Sequence, residues 1–176
     1  NEGRKAMNDL TMNDFFCGCG GMAIGYKNAG YKIVGAWDFD KFCIQSYKEN
    51  VDETARQEDI KNMTWEDVPK ASVWTFGFPC QDLSVAGKQS GLQVECTDCG
   101  HKWQVATDAH TSEKSCPICG GERFQSANRS GLFFEIMRLL DETEENQPEN
   151  MPMAIMAENV KGIRPYIDLL KDEFSK

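Results

Sequence analysis

Long apolar runs are missing from this chain of 176 residues, and so is any surplus of basic charge. No stretch approaches the roughly 20 consecutive apolar residues of a membrane-spanning helix, so a helical span is excluded. The 19 Lys and Arg are outnumbered by 28 Asp and Glu, leaving a net charge of −9. That balance is odd for a protein that grips nucleic acid, because such affinity rests on Lys and Arg at phosphates. No internal repeat is visible.

What is present is 40% hydrophobic content, enough to bury one sizeable core and carry a small module beside it. Residues 1 to 11 are polar, contain no apolar run of signal type, and are expected to be partly disordered. The apolar run Ala71 to Phe76 reads as a buried strand, followed at once by Gly77-Phe78-Pro79-Cys80-Gln81. A proline-stiffened turn there would hold the Cys80 thiol at the rim of an open sheet, where ligands of α/β folds bind. A single Cys is otherwise most often a small buried hydrophobe.

Upstream, Asp14-Phe15-Phe16-Cys17-Gly18-Cys19-Gly20-Gly21 joins a short apolar approach to a helical pattern. A glycine-rich turn lets backbone approach a ligand closely, and the helix start adds donors. The spacing is not GxGxxG, so a pyrophosphate is not implied. Tyr31 to Trp37 form a β-rich run ending at Asp38-Phe39-Asp40. An acidic residue at the tip of a second strand suits ribose hydroxyls, and Phe39 suits stacking on a base. Asp38 could instead cap the helix starting near Lys41; Asp38 with the ligand and Asp40 as cap are compatible roles. Downstream, Met153 to Met156 read as a strand buried on both faces, which puts Glu158 of Glu158-Asn159-Val160 at another carboxyl end. A carboxyl there can protonate or hydrogen-bond a substrate while a thiolate attacks.

Cys96-x2-Cys99 and Cys116-x2-Cys119 stand sixteen residues apart, each pair opening a glycine turn. The pattern predicts a four-cysteine structural zinc ribbon over residues 93–125, with Trp103, Val105 and Phe124 as its small core. Two disulfides are the rival reading, and His101 or His110 could replace a thiol. Cys17, Cys19 and Cys43 are expected to be free. Zinc-type cysteine usage fits a reducing cytoplasm, the expected location. An acidic connector is expected over Asp141 to Asn150, after a helix at 132–141, and an amphipathic helix within Pro165 to Phe174.

The DFFCGCGG turn, the GFPCQ turn and the ENV strand end, in this order, resemble those of the DNA cytosine-5 methyltransferases of bacterial and phage restriction-modification type. Lesser pieces agree: Asp59-Ile60, Ser84 to Gly91, and Arg129 to Ile136. The resemblance covers nearly all of residues 12 to 162 apart from the ribbon. It implies an α/β fold of the Rossmann-like, S-adenosylmethionine-dependent methyltransferase kind, with about five largely parallel strands. The catalytic domain would comprise residues 12–92 and 126–176. By the same resemblance, Cys80 would add to C6 of cytosine and Glu158 would engage N3 and the exocyclic amine. Asn159 would support the backbone around Cys80, while Pro79 and Gln81 would shape the turn. The target base would be flipped out of the duplex. For the cofactor, S-adenosyl-L-methionine, the resemblance points to Phe16, Gly18, Gly20 and Gly21 around the methionine and ribose. Asp38 would hold the ribose hydroxyls, Phe39 and Ile60 the adenine faces, Asp59 its amine, and Leu132 the adenosine.

The family's target-recognition region, its QxRxR element and its closing segment have no counterpart here. The chain is therefore expected to be part of a longer enzyme or one half of a split one. One sheet edge would then be open to a complementing half or to self-association. Double-stranded DNA is the expected partner, and no membrane. Two other readings stay open: a relative acting on tRNA cytosine, and a non-catalytic nucleic-acid-binding module centred on the ribbon. In the ribbon, a DNA-touching or loop-tuning role stands beside a plain stabilising one.

Overall fold

A computed structural model describes residues 10–79, 92–104, 115–127 and 130–174. Expectations placed on residues 1–9, on Cys80 and Gln81, on 84–91, on Val105, His110 and on Arg129 lie outside the described residues. In chain order the first elements are β1 (Thr11–Phe15), α1 (Gly21–Asn28), β2 (Lys32–Asp38), α2 (Lys41–Asn50), β3 (Ala55–Gln57) and β4 (Val73–Phe76). There follow β5 (Gln93–Cys96), β6 (Lys102–Gln104), β7 (Phe124–Ser126), α3 (Phe133–Asn146), β8 (Ala154–Ala157) and α4 (Ile167–Glu173). They form two compact units, Asn1–Gly77 with Arg138–Glu158, and Phe78–Met137 with Asn159–Lys176.

The first unit is a five-stranded sheet, order β3-β2-β1-β4-β8, parallel throughout. Its central strands explain its stability. Every residue of β4 is buried, and so is β1 after its first residue. Met12, Ile33, Ala36 and Val73 from the strands pack with Ala23 of α1 and with Ile44 and Tyr47 of α2. Burying one such aliphatic side chain contributes roughly 1.5–3 kcal/mol. The start of α2 is set by Asp40, whose carboxylate accepts from the amides of Phe42 and Cys43. Asp38 is not the cap.

Two expectations are corrected. β8 is exposed along its whole length, with Met156 at 50% and the preceding Met153 at 82%. Its apolar composition matches that of β4, but its position does not: it is the last strand of the sheet, beside β4 only. The acidic connector is also shorter than expected, because α3 continues to Asn146. Glu, Leu and Arg are good helix formers, and Arg138 pairs with Glu142 at 2.7 Å one turn on, so negative charge alone did not end the helix.

The second unit holds a three-stranded antiparallel sheet, order β6-β5-β7. Its buried residues include Leu92, Val94, Cys96 and Ser126; of the expected core, half-buried Trp103 and 37% exposed Phe124 pack edge-on at 6.0 Å. Tyr166 and Leu169, from the turn before α4 and from α4 itself, are buried in the same unit. Among the described residues no helix is long and apolar enough to cross a membrane.

Candidate active site and four-cysteine cluster

Register, more than any one motif, assembles the site. Trp37, Phe15, Phe76 and Ala157 form one row across β2, β1, β4 and β8. The next residue on each strand is therefore Asp38, Phe16, Gly77 and Glu158. Four sequence-distant positions thus leave the sheet at one level, at its carboxyl edge. The row straddles the switch in strand order between β1 and β4, where open α/β sheets bind ligands. At about 4.8 Å per strand, Asp38 and Glu158 stand on strands roughly 14 Å apart. That span suits an elongated ligand at one end and a second reactant at the other.

At the β1–β2 end the backbone is bent to make a cradle. Phe16 has φ 54° and Gly18 φ 51°, which turns the chain sharply off β1. Gly18 donates its amide to Oδ2 of Asp38 at 2.9 Å, and Asp40 donates to Oδ1 at 2.9 Å. Each carboxylate oxygen keeps a second lone pair for a hydroxyl. Gly20, at φ 89°, admits no side chain, since a β-carbon there would lie 2.4 Å from Cγ2 of Val51 and 3.0 Å from the Tyr47 ring. Phe39, 55% exposed, presents a ring beside Asp38. Asp59 spends Oδ1 on the Lys61 amide; Ile60 is buried, its carbonyl accepting from Arg138 at 3.0 Å. Arg138 and Glu142 thus fix the Asp59–Ile60 segment from α3, a role hidden in an ordinary i,i+4 charge pair.

Beneath the cradle lies a carboxyl that motif reading left unassigned. Asp14 is 1% exposed. Its Oδ1 shares a 2.8 Å hydrogen bond with the Thr75 hydroxyl, while Oδ2 has no partner among the described residues. Burial, opposed by the Thr75 bond and aided by Asp38, raises Asp14 to about 7. The same burial, with Asp14 and Asp38, holds the Cys17 thiol far above its ordinary value. Cys43 is raised to about 11 by burial and by the charge of Asp38.

At the β4–β8 end, Glu158 donates its amide to the Phe76 carbonyl at 3.0 Å. Its carboxylate Oε2 is 3.2 Å from where a β-carbon on residue 77 would stand. It also borders a mostly apolar hollow of about 480 Å³ lined by Gly21, Met22, Gly25, Tyr26 and Met156. The small residues one helical turn apart on α1 were the available signal for that hollow. In the second unit, Asn159 donates from Nδ2 to the Phe78 carbonyl at 2.9 Å, next to Pro79. Leu132, half-buried, closes the short turn Ser130–Leu132 in that unit.

Also in the second unit, the sulfurs of Cys96, Cys99, Cys116 and Cys119 lie within 4.8 Å of one another. Cys96–Cys119 and Cys99–Cys116 are each separated by 3.6 Å, and all four thiols are free. A tetrahedron of thiolates at ~2.3 Å from a zinc ion has edges of about 3.8 Å, so the cluster fits that ion. The knuckles need their glycines: Gly100 (φ 73°) and Gly120 (φ 72°) donate back to the carbonyls of Cys96 and Cys116. The described cations of the ribbon are already engaged, Lys102 with Glu95 at 3.4 Å and Arg123 with Asp98.

Comparison with known proteins fits this geometry. Two solved structures share the fold: the S. pombe Dnmt2 methyltransferase, with a TM-score of 0.54, 20% identity, and 92% of this chain and 39% of that one covered; and a protein encoded within prophage Cp of E. coli and described as a DNA modification methyltransferase, with a TM-score of 0.58, 21% identity, and 94% and 37% covered. The fold is thus that of a Rossmann-like methyltransferase. Residues 10–97 match the family model of the C-5 cytosine-specific DNA methylases, and the chain belongs to that family. Curated relatives include the orphan methyltransferase M.SPBetaI of Bacillus phage SPbeta, 31% identical over 161 residues, covering 89% of this chain and 35% of that protein. The type II methyltransferase M.DsaV of Dactylococcopsis salina is 28% identical over 157 residues, covering 89% of this chain and 33% of that protein. The chain therefore spans about a third of the length of these relatives.

Proposed function

We propose that the chain carries the methyl-donor cradle and nucleophile turn of an enzyme that methylates C5 of cytosine in DNA. The observation that carries this is the register row. It sets Asp38 and the glycine turn at one end of a single sheet edge, and Gly77 and Glu158 at the other. Phe16, Gly18, Gly20 and Gly21 would receive the methionine and ribose of S-adenosyl-L-methionine, Asp38 the ribose hydroxyls, and Phe39 a face of the adenine. Asp59, Ile60 and Leu132 are assigned to the adenosine on the family resemblance. When bound, the cofactor supplies an electrophilic methyl group.

Cytosine is a poor electrophile at C6, so attack needs a thiolate and relief of charge at N3. Cys80 forms the bond to C6 while Glu158 hydrogen-bonds or protonates N3. C5 of the ring so activated would accept the methyl group as its bond to the donor sulfur breaks and a neutral thioether leaves; transfer of the C5 proton to solvent would then expel the Cys80 thiolate and restore the ring. Pro79 and Gln81 shape the turn, and the Asn159 side chain anchors it at the Phe78 carbonyl. Four thiolates would hold one structural zinc ion in a closed site. Double-stranded DNA is the proposed substrate. With a net charge of −9, we assign the phosphate grip to protein surface other than that of this chain.

The test is trapping on a duplex containing 5-fluorocytosine, in the full-length protein with its cofactor. Fluorine blocks the last elimination, so a covalent adduct through Cys80 is expected and none with Cys80→Ser. DNA binding without an adduct would sink the enzyme reading and favour a binding module.

A further inference from the structure

The ribbon interrupts the chain shortly after the nucleophile turn, and its contacts say what it does there. Phe124 of β7 stands opposite the metal-site residue Cys96 in the β5–β7 ladder. Its ring meets Trp103 at 6.0 Å on one side and Phe134 at 5.9 Å on the other. Phe134 meets Phe133 at 5.4 Å, and Phe133 meets Phe78 at 5.6 Å. Phe78 is 3% exposed and lies two residues before Cys80. Edge-on and tilted ring pairs at these spacings are favourable and directional, so each ring restrains the next.

Polar contacts fix the same parts. Ser126 of β7 donates its amide to Glu135 at 3.3 Å, Gln104 of β6 donates to the Tyr166 hydroxyl at 3.0 Å, and Asn159 holds the Phe78 carbonyl. All of these residues belong to one compact unit. The described ribbon cations pair with carboxylates of the ribbon itself, Lys102 with Glu95 and Arg123 with Asp98.

We propose that the four-cysteine ribbon is a brace for the nucleophile turn, transmitting its metal-fixed geometry through Phe124, Phe134 and Phe133 to Phe78 and so to the segment that leads into Cys80. Phe134 is then a positioning residue. The inference rests on the reading of Cys80 as the nucleophile and of the cluster as a zinc site.

The experiment follows the alkylation rates of Cys80 and of the exposed Cys19 with iodoacetamide, read by peptide mass spectrometry on the zinc-loaded protein. Zinc content is measured alongside. Phe134→Ala should keep its zinc and its Cys19 rate while the Cys80 rate shifts by about 2- to 30-fold, the span expected of couplings of this kind. Phe134→Tyr should restore it, and chelation should reproduce the shift in the unmodified protein. Should Phe134→Ala disturb the fold, seen as a changed Cys19 rate, Phe124→Leu at the half-exposed end of the chain of rings serves in its place. An unchanged Cys80 rate in a zinc-loaded variant overturns the brace alone. A protein that takes up no zinc overturns the zinc reading and the brace together, whereas failure to trap 5-fluorocytosine overturns the nucleophile reading and with it the brace's catalytic role, while the Cys80 rates still decide whether the rings restrain that segment.

Discussion

Gly77 and Glu158 are in contact across neighbouring parallel strands, with the carboxylate Oε2 standing 3.2 Å from where residue 77 would carry a β-carbon. A methyl group on residue 77 would crowd the carboxylate more tightly than an ordinary contact. Gly77→Ala should therefore push Glu158 aside by a few tenths of an ångström. The displaced atom ends a flexible, exposed side chain, so the cost in stability should stay below ~0.5 kcal/mol. Methyl transfer should fall by about tenfold or more, since small misplacements of reacting groups are costly. Thermal melting and single-turnover methylation would be compared; unchanged methylation would refute the assigned role of Glu158.

Asp38 supplies the second prediction. Its two oxygens hold the amides of Gly18 and Asp40, so Asp38→Ala releases the cradle and removes the ribose acceptors together. S-adenosylmethionine affinity by calorimetry should drop by at least about tenfold, in line with 1.5–3 kcal/mol for hydrogen bonds to a charged group. Affinity equal to that of the unmodified protein would move the cofactor elsewhere.

A third concerns pH. Asp14 holds its proton to about 7 in the folded chain, whereas an unfolded Asp loses it near 3.9. Between those values the native state binds more protons, so this group makes stability decline as pH rises, by about 1.4 kcal/mol per unit, and levels off above 7. Asp14→Asn should remove that slope. Denaturant midpoints at pH 4.5 and 7.5 for both proteins give the check, and identical slopes would show that Asp14 is not held neutral.

The fourth is metal stoichiometry. One zinc per chain is expected, and Cys116→Ser or a strong chelator should loosen β5 to β7 while β1 to β4 persist, as followed by hydrogen exchange. Cooperative loss of the parallel sheet on chelation would contradict a ribbon that is locally metal-dependent.

The chain's local chemistry was readable from its residues. The run ending at Phe76, the tip at Asp38, the cap at Asp40 and the paired CxxC knuckles each follow from neighbours within a few positions, where propensity, turn geometry and ligand spacing act. What composition could not tell was which apolar strand would be covered. β4 and β8 look alike as strings, yet one is fully buried and the other exposed, because coverage depends on rank within the sheet. In the same way Asp14 is buried because β1 is flanked by both β2 and β4, which also brings Thr75, some sixty residues on, against it. The row joining Asp38, Phe16, Gly77 and Glu158, and the rings running from Phe124 to Phe78, likewise belong to strand register and packing. Those are contacts between distant positions, and they exist only once the backbone has closed its loops and buried its core.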